Sequence, residues 1–243
     1  CVLDVFGNVD AAAPKGQAGG WLLDPANVTI ASSGASGSPF AGSPNPYTYN
    51  PTGGSTILAS AISTALGLGD VTINTASGAG GNGDINVNAS INGTAGSLTL
   101  NAVRNITLAG GVGITLNGAG NRITLNAAGA GGQASGTTGG ITSSNSNTPS
   151  TNQGNNTLNA GTLTTPGGIS LNSATLNSNG GDITLSNMPS AAGGAGSASG
   201  SSQGVYLNNS TLNAGGGNIL MMGEGPNSGS TPTNDFGVIF DGN

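Results

Sequence analysis

The stretch Gly168–Leu185 reads GISLNSATLNSNGGDITL, and it aligns without a gap on Gly204–Met221, which reads GVYLNNSTLNAGGGNILM. The two copies are 36 residues apart, and a third copy, GVIFDG, begins at Gly237, 33 residues further on. Self-similarity at a nearly constant period is typical of solenoids, in which each repeat packs only against its neighbours. The fold of the chain is therefore best derived from this unit.

The first copy contains three triplets in which an apolar, a polar and an apolar residue follow one another, and the second copy has three triplets at the same positions. In the first copy they are Ile169–Leu171, Ala174–Leu176 and Ile183–Leu185. A period of two residues indicates a strand with one buried face. The residues between the triplets are Asn, Ser and Gly, which accept the left-handed backbone of a tight corner. Three strands and three corners predict one coil of a right-handed parallel β-helix, which is an all-β fold.

Stacking of the coils places equivalent residues in columns, with about 4.8 Å between successive strands. The expected interior columns are Ile169, Val205 and Val238; Leu171, Leu207 and Phe240; Leu176 and Leu212; and Ile183 and Ile219. Asparagine side chains at equivalent corners can form a hydrogen-bonded ladder along the tube. The expected corner asparagines are Asn172 above Asn208 and Asn177 above Asn213.

The whole chain, residues 1–243, is predicted to be a single β-helical shaft segment. Its expected parts are a first coil over 1–30, a loop with a short helix over 31–69, regular coils over 70–127, a low-complexity loop over 128–157, and repeated coils with variable loops over 158–243. The low-complexity part has a second interpretation, a coil whose triplets have degraded.

One helix is predicted between Ser55 and Leu68. Ser55 is a fair N-cap, and Leu58, Ile62 and Leu66 recur every four residues, as on one face of a helix. The glycines that follow can end the helix. Because so short a helix is marginal alone, it is expected to pack on the tube.

Composition excludes several classes of function. The chain has nine acidic residues, three basic residues, no histidine and a net charge of −6. Binding of nucleic acid or of an anionic membrane needs clusters of Lys and Arg, which are absent. The sequence has no apolar run of 18 residues, so membrane insertion is not expected. The single cysteine, Cys1, rules out a disulfide within the chain.

A catalytic interpretation fits the sequence poorly. Glycoside hydrolysis requires two carboxylates at a defined separation, whereas Asp84 and Asp182 are far apart in the chain and Asp182 aligns with Asn218 in the next repeat. Acid–base chemistry without histidine has few groups to use. The segment Gly80–Ile85 is similar to a calcium-binding nonapeptide, but its Asp comes one residue early and the motif is single. We therefore expect no catalytic residue, no cofactor and no metal site.

Three segments carry a resemblance to a known family. They are Gly20–Ile30 (GWLLDPANVTI), Leu66–Thr75 with Gly80–Ile91 (LGLGDVTINT and GGNGDINVNASI), and Leu98–Leu108 (LTLNAVRNITL). This part of the chain resembles the exoproteins of two-partner secretion systems, the filamentous-haemagglutinin-like and high-molecular-weight adhesins of Gram-negative bacteria. The family's N-terminal secretion domain is not recognisable, which is typical of an internal fragment.

The resemblance implies a β-helical shaft at the cell surface or outside the cell. It also implies an outer-membrane transporter as the partner in secretion, with a host-cell or matrix receptor as a possible ligand. The leading hypothesis is thus a structural and adhesive shaft segment whose other contacts are neighbouring coils. One alternative is the subunit of a self-assembling extracellular fibre, since open coil ends can add further coils. A less favoured one is a β-helical enzyme acting on polysaccharides, which two facing carboxylates in a groove would support.

Overall fold

The structure is a computed structural model, and it describes residues 27–34, 47–49, 55–75, 82–127, 139–144, 147–160, 167–187, 203–223 and 236–242. The prediction of a first coil over residues 1–30 lies outside the described residues up to residue 26. So do the predicted polar loops that follow Ser186–Asn187 and Gly223.

The described residues form short strands and one helix. In chain order these are β1 Asn27–Ala31, β2 Tyr47–Tyr49, β3 Ser55–Leu58, α1 Ala59–Leu66, β4 Val71–Asn74, β5 Asp84–Val87, β6 Ile91–Gly93, β7 Leu98–Asn101, β8 Ile106–Leu108, β9 Gly113–Ala119, β10 Ile123–Ala127, β11 Gly139–Ser144, β12 Thr148–Asn152, β13 Asn156–Ala160, β14 Gly167–Asn172, β15 Thr175–Asn177, β16 Ile183–Ser186, β17 Gln203–Asn208, β18 Thr211–Asn213, β19 Ile219–Met222 and β20 Phe236–Asp241.

Three sheets form the walls of the molecule, and all of their strand pairs are parallel. The eight-stranded sheet has the order β20-β17-β14-β11-β8-β5-β1-β3, the seven-stranded sheet β19-β16-β13-β10-β7-β4-β2, and the five-stranded sheet β18-β15-β12-β9-β6. From β5 onward the chain visits the eight-, five- and seven-stranded sheets in turn, once per coil. The predicted fold class, an all-β parallel β-helix with three-strand coils, is confirmed.

The interior consists of columns of aliphatic side chains along the axis. Ile169 lies opposite Val205, which lies opposite Val238, and Leu171, Leu207 and Phe240 follow the same register. Leu176 pairs with Leu212 and Ile183 with Ile219. The last members are less buried: Phe240 is 58% exposed and Ile219 44%. They belong to the last strands of their sheets, beyond which no described strand stacks.

The helix is shorter than predicted. It covers Ala59–Leu66, and Leu58 rather than Ser55 stands at its N-cap. The residues Ser55–Leu58 instead form β3, which pairs in register with β1 so that Ile57 lies beside Ile30. Local spacing favoured a helix here, but the alternating sequence STIL matches the open edge of β1, and that pairing determines its structure.

Helix α1 covers the N-terminal edge of the five-stranded sheet. It lies in the chain between a strand of the eight-stranded sheet and one of the seven-stranded sheet, the place that a strand of the five-stranded sheet takes in each later coil. It packs against β6, the terminal strand of that sheet. Ile62 and Leu66 are fully buried, as predicted, whereas Leu58 is only partly buried.

Packing under α1 can be tested with a conservative change. Replacing Ile62 with valine removes one methylene from a fully buried site and is expected to lower the free energy of unfolding by about 1 kcal/mol. Replacing the exposed Ser60 with alanine is the control, since it removes no buried contact. Denaturant titration followed by circular dichroism measures both, and equal effects of the two changes would contradict the covering role of the helix.

Two stretches predicted as loops contain strands. Tyr47–Tyr49, within the predicted loop, forms β2 at the edge of the seven-stranded sheet, and Tyr47 packs partly buried against the core. Within the low-complexity part, β11, β12 and the start of β13 form a coil in register with their neighbours. The loop prediction is wrong for Tyr47–Tyr49, and in the low-complexity part the second interpretation, a coil with degraded triplets, is the one that the strands bear out. Pairing to ordered coils on both sides compensates there for weak apolar triplets.

Candidate functional site: polar ladders and the two ends of the shaft

Polar side chains at the strand starts of the seven-stranded sheet hydrogen-bond to the next coil. Asp70 Oδ1 accepts the Ser97 N–H at 2.7 Å, and Ser97 Oγ accepts the Arg122 N–H at 3.1 Å. Two coils further on, Asp182 Oδ1 accepts the Asn218 N–H at 2.8 Å and the Asn218 amide at 3.1 Å. These side chains continue the backbone ladder beyond the strand.

The eight-stranded sheet has the same arrangement. Asn27 Oδ1 accepts the Asp84 N–H at 2.9 Å, Asp84 Oδ1 accepts the Asn105 N–H at 3.1 Å, and Asn105 Oδ1 accepts the Gly140 N–H at 3.0 Å. Arg104 adds an ion pair, since its Nε donates to Asp84 Oδ1 at 2.7 Å and its Nη2 contacts Oδ2. The hydrogen bond to Asp84 raises the pKa of Arg104. The Asp84 carboxylate is thus held by a guanidinium group and by a backbone N–H.

The two carboxylates weighed for catalysis are not brought together on one wall. Asp84 opens a strand of the eight-stranded sheet, whereas Asp182 precedes a strand of the seven-stranded sheet. Each accepts a backbone N–H from the following coil. Among the residues that the structure describes, no group of three or more His, Cys, Asp or Glu side chains could hold a metal ion. What these carboxylates do in the structure is hold adjacent coils in register.

An acceptor role for Asp182 gives a sharp expectation. Asn218 occupies the position equivalent to Asp182 in the next coil, so an asparagine fits at this corner. The amide oxygen of an asparagine at position 182 can accept the Asn218 N–H that Asp182 accepts. Asp182→Asn is expected to leave the melting temperature unchanged, whereas Asp182→Ala should lower the free energy of unfolding by about 1 kcal/mol because the acceptor is lost. Calorimetry on both variants measures this, and an Asp182→Asn variant as unstable as Asp182→Ala would contradict it.

Asparagine ladders run along two corners. The predicted pair is present at one of them, where Asn208 Nδ2 donates to Asn172 Oδ1 at 3.1 Å. A longer ladder, which was not predicted from the sequence, joins Asn74, Asn101 and Asn126. Asn101 Nδ2 donates a hydrogen bond to Asn74 Oδ1 at 2.8 Å, and Asn126 Nδ2 donates one to Asn101 Oδ1 at 2.7 Å. The sequence feature that could have revealed this ladder is the Asn directly after the apolar triplets of β4, β7 and β10.

The second predicted pair does not form an amide ladder. Asn177 and Asn213 lie in register, but Asn177 Oδ1 accepts the N–H of Asn179 at 3.3 Å and Asn213 Oδ1 accepts that of Gly215 at 3.1 Å. Both turns that follow contain a left-handed residue, with φ of 48° at Asn179 and 61° at Gly215. Each amide oxygen stabilises its own turn, which is the alternative that Asn always offers.

Threonines form a row on the outer face of the seven-stranded sheet. One residue per strand contributes to it, and the register aligns Thr48, Thr72, Thr99, Thr124, Thr157 and Thr184. At the last strand the row continues with Leu220, which is 49% exposed. Short β-branched side chains favour strands, and threonine leaves this outer face without charge.

The two ends of the shaft differ. At the N-terminal end α1 covers the edge of the five-stranded sheet, while the last described strands expose apolar side chains, among them Leu220, Met222 at 38% and Phe240. Tyr206, on the outer face nearby, donates its hydroxyl to Asp241 Oδ2 at 2.8 Å, and this bond raises the pKa of Tyr206. Among the described residues, most of the exposed large apolar side chains therefore lie on the last strands, and Leu68 beside α1, 71% exposed, is the exception.

The fold and these surfaces define a parallel β-helical solenoid whose walls are held together by polar ladders. Comparison with known families, with curated proteins and with solved structures finds no match for the chain. Within the described ranges, none of the helical structure reaches the length and apolar character needed to cross a membrane.

Proposed function

We propose that the chain is a structural and adhesive shaft segment of a secreted bacterial surface exoprotein of the two-partner secretion kind, without catalysis. The observation that supports this best is an uninterrupted aliphatic column in the interior. One column runs along the eight-stranded sheet through Val28, Ile85, Ile106, Ile141, Ile169, Val205 and Val238. Continuous stacking makes a stiff spacer, since each coil is held by both of its neighbours.

The resemblance in sequence supports the secreted class of protein. Two of its three segments, those between Leu66 and Leu108, form β4 to β8, which are consecutive strands of the shaft. The partners that follow from the resemblance are an outer-membrane transporter for export and a host-cell or matrix receptor for adhesion. Because the strand-start side chains are engaged in ladders, specificity is expected on the outer faces and in the loops between coils.

Adhesion is tested with the purified chain coupled to beads. Beads carrying the folded chain are expected to bind cultured epithelial cells, or at least one immobilised matrix protein among collagen, fibronectin and laminin, in excess over albumin-coated beads. Beads carrying the heat-denatured chain are the matched control for the folded surface. Binding no better than albumin on every one of these surfaces would overturn the adhesive part of the proposal.

A fibre subunit is the second candidate, and the exposed C-terminal end favours it. Exposed strand edges add further strands readily. Head-to-tail growth, however, needs open strand edges at both ends. At the N-terminal end, α1 covers the edge of the five-stranded sheet, with its Ile62 and Leu66 buried.

Electron microscopy and sedimentation velocity separate the two candidates. The shaft proposal predicts single short rods, whose eight-stranded sheet spans roughly 34 Å along the axis at the usual strand spacing. Filaments many times this length, growing with protein concentration, would favour the fibre.

A further inference from the structure

The coil formed by β11, β12 and β13, residues 139–144 and 147–160, has polar residues at some of its interior column positions and is named the polar coil. Ser143 occupies the column position between Leu108 and Leu171, and it is 3% exposed. Asn156 occupies the position between Ile123 and Ile183, and it is fully buried. Both columns therefore lose aliphatic contact at the same level of the shaft.

Hydrogen bonds compensate for only part of the cost of burying these polar side chains. The buried Asn147 accepts from Ser143 Oγ at 2.8 Å, and its Nδ2 donates to the carbonyl oxygens of Ala109 at 2.6 Å and Val112 at 3.0 Å. Asn156 Nδ2 donates to the Asn177 carbonyl at 3.1 Å, but Asn156 Oδ1 is buried without a hydrogen-bond partner. An unsatisfied acceptor in an apolar column lowers the stability of the folded coil.

The wall on one side of the polar coil is also weakly paired. In the five-stranded sheet, the register of β12 with β15 contains a single pair, Ser150 with Asn177, and the Thr175 N–H donates to the Asn147 carbonyl at 2.8 Å just before it. The neighbouring junctions, β6 with β9 and β15 with β18, each have three consecutive pairs. On its other side β12 carries a register shift between Thr151 and Asn152. Among the described junctions of this sheet, the register is thus shortest at the polar coil.

We propose that the polar coil is a built-in yielding point, at which the shaft opens before the coils on either side of it. A solenoid behaves as a row of units coupled to their nearest neighbours, so one weak unit divides the row into two cooperative blocks. Here the blocks are the coils up to β10 and the coils from β14 onward. Heating or tension along the axis then separates the blocks at the polar coil while each block stays folded. This property of the fold does not depend on the adhesive role.

Native-state hydrogen exchange of the full chain, read by mass spectrometry, tests the proposal. Amides of β11 and β13 are expected to exchange at least about tenfold faster than those of β10 and β16, their neighbours along the shaft. The comparison avoids the ends, which fray in any solenoid. Equal rates in these four strands, or faster exchange in β10 or β16, would overturn the proposal.

Substitutions test whether the buried polar side chains cause the fast exchange of the polar coil. Asn156→Leu fills the column between Ile123 and Ile183 with an aliphatic side chain and removes the unsatisfied oxygen, so exchange in β13 should slow by about tenfold. Thr157→Val, on the outer face of the same strand, is the matched control and should leave the rate nearly unchanged. Asn147→Ala removes the two bonds to the coil below and should speed exchange in β11.

The outcomes are distinct. An Asn156→Leu protein that is folded by circular dichroism but exchanges no more slowly than the Thr157→Val control contradicts the proposal. If Asn156→Leu does not fold, the wild-type rates and the Asn147→Ala variant decide, and an Asn147→Ala variant with unchanged exchange counts against it.

Discussion

Replacing Leu207 with aspartate is expected to unfold the C-terminal coils. Leu207 is 1% exposed, and its column neighbours are Leu171 and Phe240. The change removes an aliphatic side chain from the column, which alone costs about 2 to 5 kcal/mol, and it adds a carboxylate without a cation. The arginines of the described chain lie on earlier coils, at Arg104 and Arg122. The total loss should exceed about 5 kcal/mol, comparable with the stability of a whole domain.

The pH dependence of this variant gives a second readout. Burial raises the pKa of the introduced carboxyl above its unfolded value of about 3.9. Below the unfolded value the group is protonated in both states, so the penalty is smallest there. As pH rises through that value the unfolded state ionises first, and the penalty grows until the folded-state pKa is reached.

Thr211→Asp is the control for Leu207→Asp, because Thr211 is exposed on the strand that follows. Its melting temperature should stay within a few degrees of the parent. Thermal unfolding followed by circular dichroism at pH 4 and pH 7 measures both proteins. A Leu207→Asp protein that melts like the Thr211→Asp protein at pH 7 would show that this column is not the core of the shaft.

Gly154→Ala is the second change with a large expected effect. A Cβ at Gly154 would overlap the carbonyl oxygen of Asn121 in the coil below. Backbone cannot swing aside as a flexible side chain can, so two coils must move apart and lose the pairing of β10 with β13. We expect a loss of about 3 kcal/mol or more in the free energy of unfolding, measured by denaturant titration.

A control glycine separates close approach from backbone conformation. Gly120 has a φ of 77°, and a methyl group added there would meet no atom within 4 Å, so Gly120→Ala costs only the left-handed conformation, about 1 to 2 kcal/mol. Gly154→Ala should therefore be clearly the more damaging of the two. Equal losses would mean that coil spacing at this corner is loose.

The coil itself was predictable because its determinants are local. Alternation of apolar and polar residues within a triplet fixes which side chains point inward, and Asn or Gly after a triplet marks the corner. The gapless repeat alone aligns Ile169 with Val205 and Leu171 with Leu207, and the register of the strands agrees. The Asn172–Asn208 ladder follows from the same alignment.

The candidate site was less accessible to sequence reasoning. The sequence argued against Asp84 and Asp182 as a catalytic pair, but their acceptor role depends on which N–H the next coil presents. The Asn74–Asn101–Asn126 ladder and the threonine row on the outer face required the register of coils with unequal lengths. Insertions between coils hide such alignments, because a column is periodic along the axis and not along the chain.

Sequence by itself determined the strand periodicity, the corners and the identity of the interior columns, since each depends on neighbours within a few residues or on an ungapped repeat. Only the tertiary structure decided that Ser55–Leu58 is a strand, that the polar coil is a coil, and that Gly154 is needed for close packing. The last residue illustrates the reason: its φ lies outside the left-handed region, and the contact that demands glycine comes from Asn121 in the coil below. The distance between two coils is set by how they stack, so the sequence of one coil does not show where a neighbouring coil approaches too closely for a Cβ.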